Sequence, residues 1–450
     1  MLTKFMNCKH IISNEYQEKK LKLTRNDRSV TDELRLEKGK IHEKNYFNQL
    51  KKKYSKIKNI KELDLTKEQK IKETIKSLKE GYELIYGGWL KSGEWSGELD
   101  FLEINKNQKS ELGSWSYEIT DTKHSAKIKG DHIYQLGVYL LLLEEIQGIL
   151  PENFYILLKD QIKHPIKVKE IYDTFLFHKK IYEKFLNQGI EKTKPEKCKF
   201  CSFCDWSEHC ESVWKLKRHL NQVIGTVSND IKKFNAAGII DYDTLAALNP
   251  KKKIEGLREE IKAKRIHQAK LKIEGEKKGY PIFELNKENL VLNKGFNLLP
   301  KESKCDLFFD LEGVQDYVFP GRLEYLFGIY YEEEGNKIFK PFWAHNKDEE
   351  KQSVIKFFDF TKKHFEKYPD AKIYHYAPYE IKALERLTSL HKVHGVDYDH
   401  YLNLGKFVDL YRIVKQAIYI SEKSYSIKDI EKYYGFNRSG EIRKGDVSEE

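Results

Sequence analysis

WSGELDFLEI (residues 95–104) and SYEITDTKHS (residues 116–125) decide how the first half of the chain is read. Both stretches alternate apolar and polar side chains, and each predicts a half-buried β-strand. On the second, Asp121 and Lys123 stand two residues apart, so the strand period sends both side chains to one face. Asp100 lies on the first. Carboxylates so placed suit a divalent cation, Mg2+ or Mn2+, which lowers the pKa of a bound water and stabilises charge developing on a phosphate. Asp100 and Asp121 are the expected metal carboxylates. Lys123 is the ammonium expected beside the attacking water or the developing charge.

Downstream, QLGVY places Gln135 and Tyr139 four residues apart in a predicted helix, where they are neighbours on one face. Gln135 can orient water or nucleic acid there, with Tyr139 in support. Upstream, EKGKIHEKNY carries His42 on a predicted helix, a candidate nitrogen ligand. Each of these residues has a plainer reading as a salt bridge, a solvated strand residue or a core aromatic; their order along the chain says more. GKIH, GELDFLE, YEITDTK and QLGVY in succession resemble the RecB-like PD-(D/E)XK nuclease family. The resemblance implies a restriction-endonuclease-like α/β fold, with His42, Asp100, Asp121, Lys123, Gln135 and Tyr139 at motif positions and Glu118 as an accessory carboxylate. It extends to bacterial and archaeal members with a second, ribonuclease-H-like domain.

CKFCSFCDWSEHC (residues 198–210) holds four of the six cysteines. Cys201, Cys204 and Cys210 form C-x2-C-x5-C, and Cys8 lies far upstream. Spacing alone fits an iron–sulfur cluster or a tetrahedral zinc ion, the latter also on Cys198, Cys201, Cys204 and Cys210. The family resemblance implies one cysteine before the nuclease core and three after it. That favours a [4Fe–4S] cluster on Cys8, Cys201, Cys204 and Cys210, structural rather than redox-active, with Cys198 as a supernumerary residue and Cys305 outside the set.

The chain restarts at CDLFFDLEG (residues 305–313) and EYLFGIYY (residues 324–331), two strand-like runs followed by helical segments. Asp310 and Glu312 share one strand face by the same two-residue period. The resemblance makes this a ribonuclease-H-like domain of DEDD exonuclease (YprB-like) type, with Asp310, Glu312 and Glu380 as its acids and Asp409 in an open role. Related sequences continue through a helix bearing the final acid, so the domain is expected to be truncated, and Asp446 does not match that later segment.

The 450 residues carry 81 Lys and Arg against 70 Asp and Glu, a formal charge of +11, which suits a polyanionic partner without naming one. The runs KKKYSKIKNIK and KKKIEGLREEIKAKR can line a phosphate path or lie on solvated helix faces. Trp95, Trp115, Tyr117 and Trp206 can stack on bases if exposed. No GxxxxGK[ST] loop is present, so ATP-driven unwinding would need a helicase or DNA-repair partner. Clustered cysteines and the absence of a long apolar N-terminal run point to a reducing, cytoplasmic setting. Three domains are expected: a nuclease domain over 1–212, a mainly helical connector over 213–300 that includes the helix–Gly turn–helix NAAGIIDYDTLAAL, and an exonuclease-like domain over 301–450. The expected activity is metal-dependent hydrolysis of DNA, favoured over RNA, on single strands or ends. The alternatives are a binding module with inactive sites and an RNA-processing exonuclease using the C-terminal domain.

Overall fold

A computed structural model of the chain describes residues 1–27, 30–190, 193–315 and 322–436, so Asp446 lies outside the described residues. The contacts divide the chain into two compact α/β units, Met1–His209 and Cys210–Glu450. The expected connector packs within the second unit. Among the described residues, no helix is long and apolar enough to cross a membrane.

In the first unit a mixed sheet runs β1 (Ile57–Asn59), β2 (Leu84–Ser92), β3 (Trp95–Asn105), β4 (Ser116–Lys123), β5 (Asn153–Leu158) and β6 (Lys163–Lys167), in that spatial order. The two sequence-predicted strands are β3 and β4, paired antiparallel as far as Phe101 opposite Thr120. From Thr120 to Lys123, β4 pairs instead with β5, in parallel. The two strands therefore part at Asp100 and Asp121.

Both faces of the sheet are covered, and β2 is accordingly buried along most of its length rather than alternating. Helix Val30–Leu50 lays Tyr46, Phe47 and Leu50 on one face, with the Phe47 and Tyr86 rings stacked at 4.2 Å. Helix Gly130–Gln147 covers the other with Leu136, Leu140 and Leu143, and helix Val168–Asn187 adds Phe175. Gly137 lets these two helices close: a Cβ there would lie 2.3 Å from the Phe175 ring. Gly137→Ala is expected to cost about 1–3 kcal/mol by overpacking, read as a lower midpoint in chemical denaturation with an unchanged slope.

The second unit begins with helices around Leu220, Phe234, Leu245, Ile266 and Ala269. NAAGIIDYDTLAAL forms helices Ser228–Ala236 and Tyr242–Ala246 about a turn at Gly238, φ +81°, and Asp241 caps the second by accepting from the Thr244 amide. β7 (Phe283–Leu285) ties this segment to β13 (Ile418–Ile420). The main sheet comprises β8 (Leu307–Gln315), β9 (Arg322–Glu333), β10 (Asn336–Trp343), β11 (Ile373–His375) and β12 (Phe407–Asp409), in the spatial order β10-β9-β8-β11-β12. Helices Lys347–Lys367 and Tyr379–His391 pack Phe357, Phe358, Leu384 and Leu387 onto Leu307, Phe309 and Phe327 of its inner face.

Two of the four candidate base-stacking aromatics are packing groups: Tyr117 and Trp206 are buried. Trp115 lies against Gly81 and Gly113 and donates its indole N–H to the Leu78 carbonyl. Trp95 is half-buried. The basic runs are partly spent on internal pairs, Lys58 with Glu73 and Lys61 with Glu43, and Lys262 is fully buried against Glu259 and the Lys252 carbonyl.

Candidate active site

Where β3 and β4 part, the Asp100 carboxylate fills the gap. Its Oδ2 accepts from both the backbone amide and the hydroxyl of Thr122, each at 2.7 Å. Asp121, beside it, is fully buried, and neither of its oxygens has a hydrogen bond of good geometry. The Lys123 ammonium stands 2.5 Å from Asp121 Oδ2 as a charge contact. Burial, then the neighbouring Asp100 charge, pushes the Asp121 carboxyl up to about 7. Burial works to lower the Lys123 pKa, but Asp121 and Asp100 outweigh it and raise it, so the ammonium stays charged.

The covering helices bring in the rest of the site. From helix Val30–Leu50 comes Glu43, its carboxyl raised by burial and by the Asp100 charge, and paired with Lys61 at 2.5 Å. Lys61 also lies 3.7 Å from Glu98. Lys61 reaches this position because Gly87 is a glycine: φ is +68°, and a Cβ there would lie 2.5 Å from the Lys61 Cβ. From helix Gly130–Gln147, the Gln135 amide donates to the Tyr139 hydroxyl at 2.7 Å, the predicted i,i+4 contact. Tyr139 packs where a Gly97 Cβ would be, 2.4 Å from its ring, and it feels the Asp121 charge.

His42 is buried, but its nitrogens are engaged elsewhere. Gln161 Nε2 lies 2.9 Å from Nδ1, and Nε2 faces the Leu157 carbonyl at 3.4 Å. With the amide donating to Nδ1, the proton sits on Nε2, leaving no free ring lone pair for a metal ion. Glu43, the next residue, contributes to the charge cluster instead. Glu118, an odd number of residues before Asp121 and Lys123 and so on the opposite strand face, belongs to a different group: Asn105 donates to it, and Tyr155 hydrogen-bonds it. Nearby Glu103 binds Lys163, Thr120 and Tyr54.

Cys8, Cys198, Cys201 and Cys204 are gathered in the first unit, where burial and then neighbouring cysteines raise the Cys8, Cys201 and Cys204 thiols. Cys201 Sγ accepts from the Cys198 amide and lies 3.8 Å from Cys198 Sγ, while Cys204 Sγ accepts from the Trp206 amide. Amides of His10 and Ile11 point at Cys8. Cys198 is thus a close neighbour of Cys201. Cys210 lies in helix Ser207–Leu216 and belongs by its contacts to the second unit. Among the described residues, no group of three or more His, Cys, Asp or Glu side chains has metal-holding geometry.

In the second unit, β8 runs parallel to β11, which pairs with it only through Leu307 and Phe308. Asp310 follows just beyond that pairing and accepts from the Leu311 amide; Glu312 shares its strand face up to the bulge at Gly313. Glu380 opens helix Tyr379–His391, buried, with Oε2 lacking a hydrogen bond and His375 Nδ1 3.6 Å away. Asp409 accepts from the Ala377 and Arg412 amides, and Ala377 is held at φ +77°. That fastens the loop carrying Glu380. Residues 307–449 match the RNase_H_2 family of the RNase_H superfamily. The C-terminal region is therefore ribonuclease-H-like, a class associated with nucleic-acid processing. No curated protein matches the chain.

Sequence reasoning missed Glu43, Glu98 and Lys61. For Glu43 the signal was its place on the stripe of Tyr46, Phe47 and Leu50, where a charge at a core position asks for a reason. Lys61→Met leaves Glu43 without its cation. The variant is expected to lose roughly 2–3 kcal/mol at pH 8 and less as pH falls and the raised Glu43 carboxyl takes up a proton; urea unfolding across a pH series checks this.

Proposed function

We propose that the chain is a divalent-metal-dependent DNA nuclease of the RecB-like PD-(D/E)XK kind, cutting at Asp100, Asp121 and Lys123. The observation that carries the reading is Asp121, a fully buried carboxylate whose oxygens make no hydrogen bond of good geometry and whose charge contact is with Lys123, itself shared with Asp100. Burying such a group costs several kcal/mol unless something pairs with it. Among the described residues, the cations the structure sets against Glu43, Glu98, Asp100 and Asp121 are Lys61 and Lys123, an excess of two negative charges when all are ionised, which one divalent cation neutralises. These residues suit Mg2+ or Mn2+. The cation would supply a water of lowered pKa and neutralise charge on the phosphate.

The chain's own groups do the rest. Asp100, held by Thr122, presents its remaining oxygen in a fixed orientation. Lys123 keeps its proton and places a compact positive charge at the carboxylate edge, where a phosphoryl oxygen gains charge in the transition state. Gln135, oriented by Tyr139, offers an amide to substrate or water. Single-stranded DNA or DNA ends are the substrates this reading favours.

In Mg2+ or Mn2+, Asp121→Asn and Lys123→Ala are each expected to lower cleavage of single-stranded DNA by about 100-fold or more, while Asp310→Asn leaves it unchanged. Undiminished cleavage by both first-site variants would sink the reading. Since Asp121 must lose a proton to bind metal, Mn2+ affinity is expected to rise roughly tenfold per pH unit toward pH 7 and then level. The sign for the metal-free protein is opposite. A carboxyl raised in the folded state lets stability fall as pH climbs from about 4 toward 7.

A second reading is favoured by the RNase_H_2 match: Asp310, Glu312 and Glu380 process nucleic acid in the C-terminal unit. RNA cleavage abolished by Asp310→Asn and retained by Asp121→Asn would reverse the order of the two sites.

For the cysteines the reading is a structural [4Fe–4S] cluster drawing on Cys8, Cys201, Cys204 and Cys210, with zinc as the alternative. Burial raises the Cys8, Cys201 and Cys204 thiols and the backbone amides aimed at them offset this only in part, so the thiolates this reading needs would come with the bound metal. Metal analysis of anaerobically purified protein separates the two: about four irons per chain, lost in Cys8→Ser, is the expected result, whereas zinc retained in Cys8→Ser and lost in Cys198→Ser overturns it.

A further inference from the structure

The first unit opens a cavity of about 750 Å³. Its lining includes Gln135 and Tyr139, the pair already placed at the candidate site, and Gly97, three residues before Asp100 on β3, about 10 Å along the strand. The far wall is aromatic and apolar: Trp95, Tyr182 and Leu186. The Trp95 and Tyr182 rings meet edge to face at 5.7 Å. Glu183 holds the indole in place by accepting from Trp95 Nε1 at 3.3 Å, and Lys179 holds Glu183 at 2.7 Å.

The charge of the lining selects the ligand. Glu94 and Glu183 border the cavity, and its described lining contains neither Lys nor Arg. A phosphate would meet two carboxylates against only the α-ammonium of Met1, whose pKa burial lowers. A flat, uncharged group with N–H donors meets aromatic faces and an acceptor instead. Nucleobases have that character, and a carboxylate accepts well from the exocyclic amino group of cytosine. The base must be free of its stack and partner to enter, a condition met in a single strand.

We propose that this cavity receives one unstacked nucleobase of a single-stranded DNA, with Trp95 as stacking wall and Glu183 as acceptor for an exocyclic amino group. Resting on the reading of Asp100, Asp121 and Lys123 as the cleaving centre, it makes the cavity the subsite for the nucleotide next to the cut. Thymine, which has no exocyclic amino group, is the disfavoured base.

The test uses the full chain with Ca2+ in place of Mg2+ and fluorescence anisotropy with labelled twelve-residue oligodeoxycytidine and oligothymidine. The expected result is about tenfold tighter binding of the cytidine strand. Leu186→Trp fills the cavity without touching a polar group, and it should erase the preference, as should Trp95→Ala. Equal binding of the two strands by the unaltered chain, or a preference surviving in folded Leu186→Trp, overturns the proposal. Should Trp95→Ala lose its circular dichroism signal, Leu186→Trp decides alone. The nuclease reading fails separately: no Mg2+-dependent cleavage alongside an intact cytidine preference removes the cutting centre and leaves the base pocket standing. Cleavage at unchanged KM by Leu186→Trp removes the pocket and leaves the centre.

Discussion

A carboxylate with no hydrogen bond, buried at the point where two strands part, is the constraint around which the first unit is arranged. Asp121 lies there because β4 leaves β3 after Thr120 and continues against β5. A strand in unbroken pairing would have its edges filled by neighbours. At the fork a gap opens, and Asp100 bridges it through Thr122. The free energy lost by burying Asp121 has to be recovered from packing elsewhere, which the covered faces of the sheet provide. Three glycines follow from the same demand for closeness: Gly87 admits Lys61, Gly97 admits Tyr139, and Gly137 brings the helix carrying Gln135 down onto Phe175.

The second unit repeats the principle with different parts. Asp310 again stands just past the end of a strand pairing, here β8 with β11, and the loop after β11 is pinned through Asp409 and a left-handed Ala377. The unpaired buried oxygen belongs this time to Glu380, at a helix start rather than on a strand. Beside it, Glu324 and Glu350 are wholly buried yet fully engaged, by Arg322, Arg386 and Tyr379 on one and by Lys347 and His391 on the other. Buried acids with every oxygen engaged stabilise a fold; a buried acid with oxygens that lack hydrogen bonds invites a ligand.

Residues whose placement depends on a local period were legible in the sequence. Asp121 and Lys123 share a face by the period of two, and Gln135 meets Tyr139 by the i,i+4 rule. NAAGIIDYDTLAAL likewise carried its turn glycine and its capping aspartate in plain view. Glu43 was hidden by its neighbour, since histidine is the more familiar ligand, and only the tertiary contact of His42 with Gln161 shows that its ring is committed elsewhere. Lys61 was hidden differently: within a basic run every lysine looks solvated, and it takes Gly87's positive φ to show which one turns inward. The cysteines were legible as a group, while Cys198's approach to Cys201 depends on the tight turn at Lys199–Phe203.

The overall charge and the local charge pull against each other, and that opposition bears on how the first site would work. At +11 the chain draws polyanions from a distance, with strength that falls as salt rises. At short range the fork presents four carboxylates against two ammoniums, so an approaching phosphate is repelled unless a cation is already held or Asp121 is protonated. Protonation lessens the repulsion but removes a ligand, so only the metal both admits the phosphate and arms the site. On the nuclease reading, metal binding and substrate binding would be coupled by electrostatics: a phosphate backbone would settle at Asp100 and Asp121 once the excess negative charge there is neutralised.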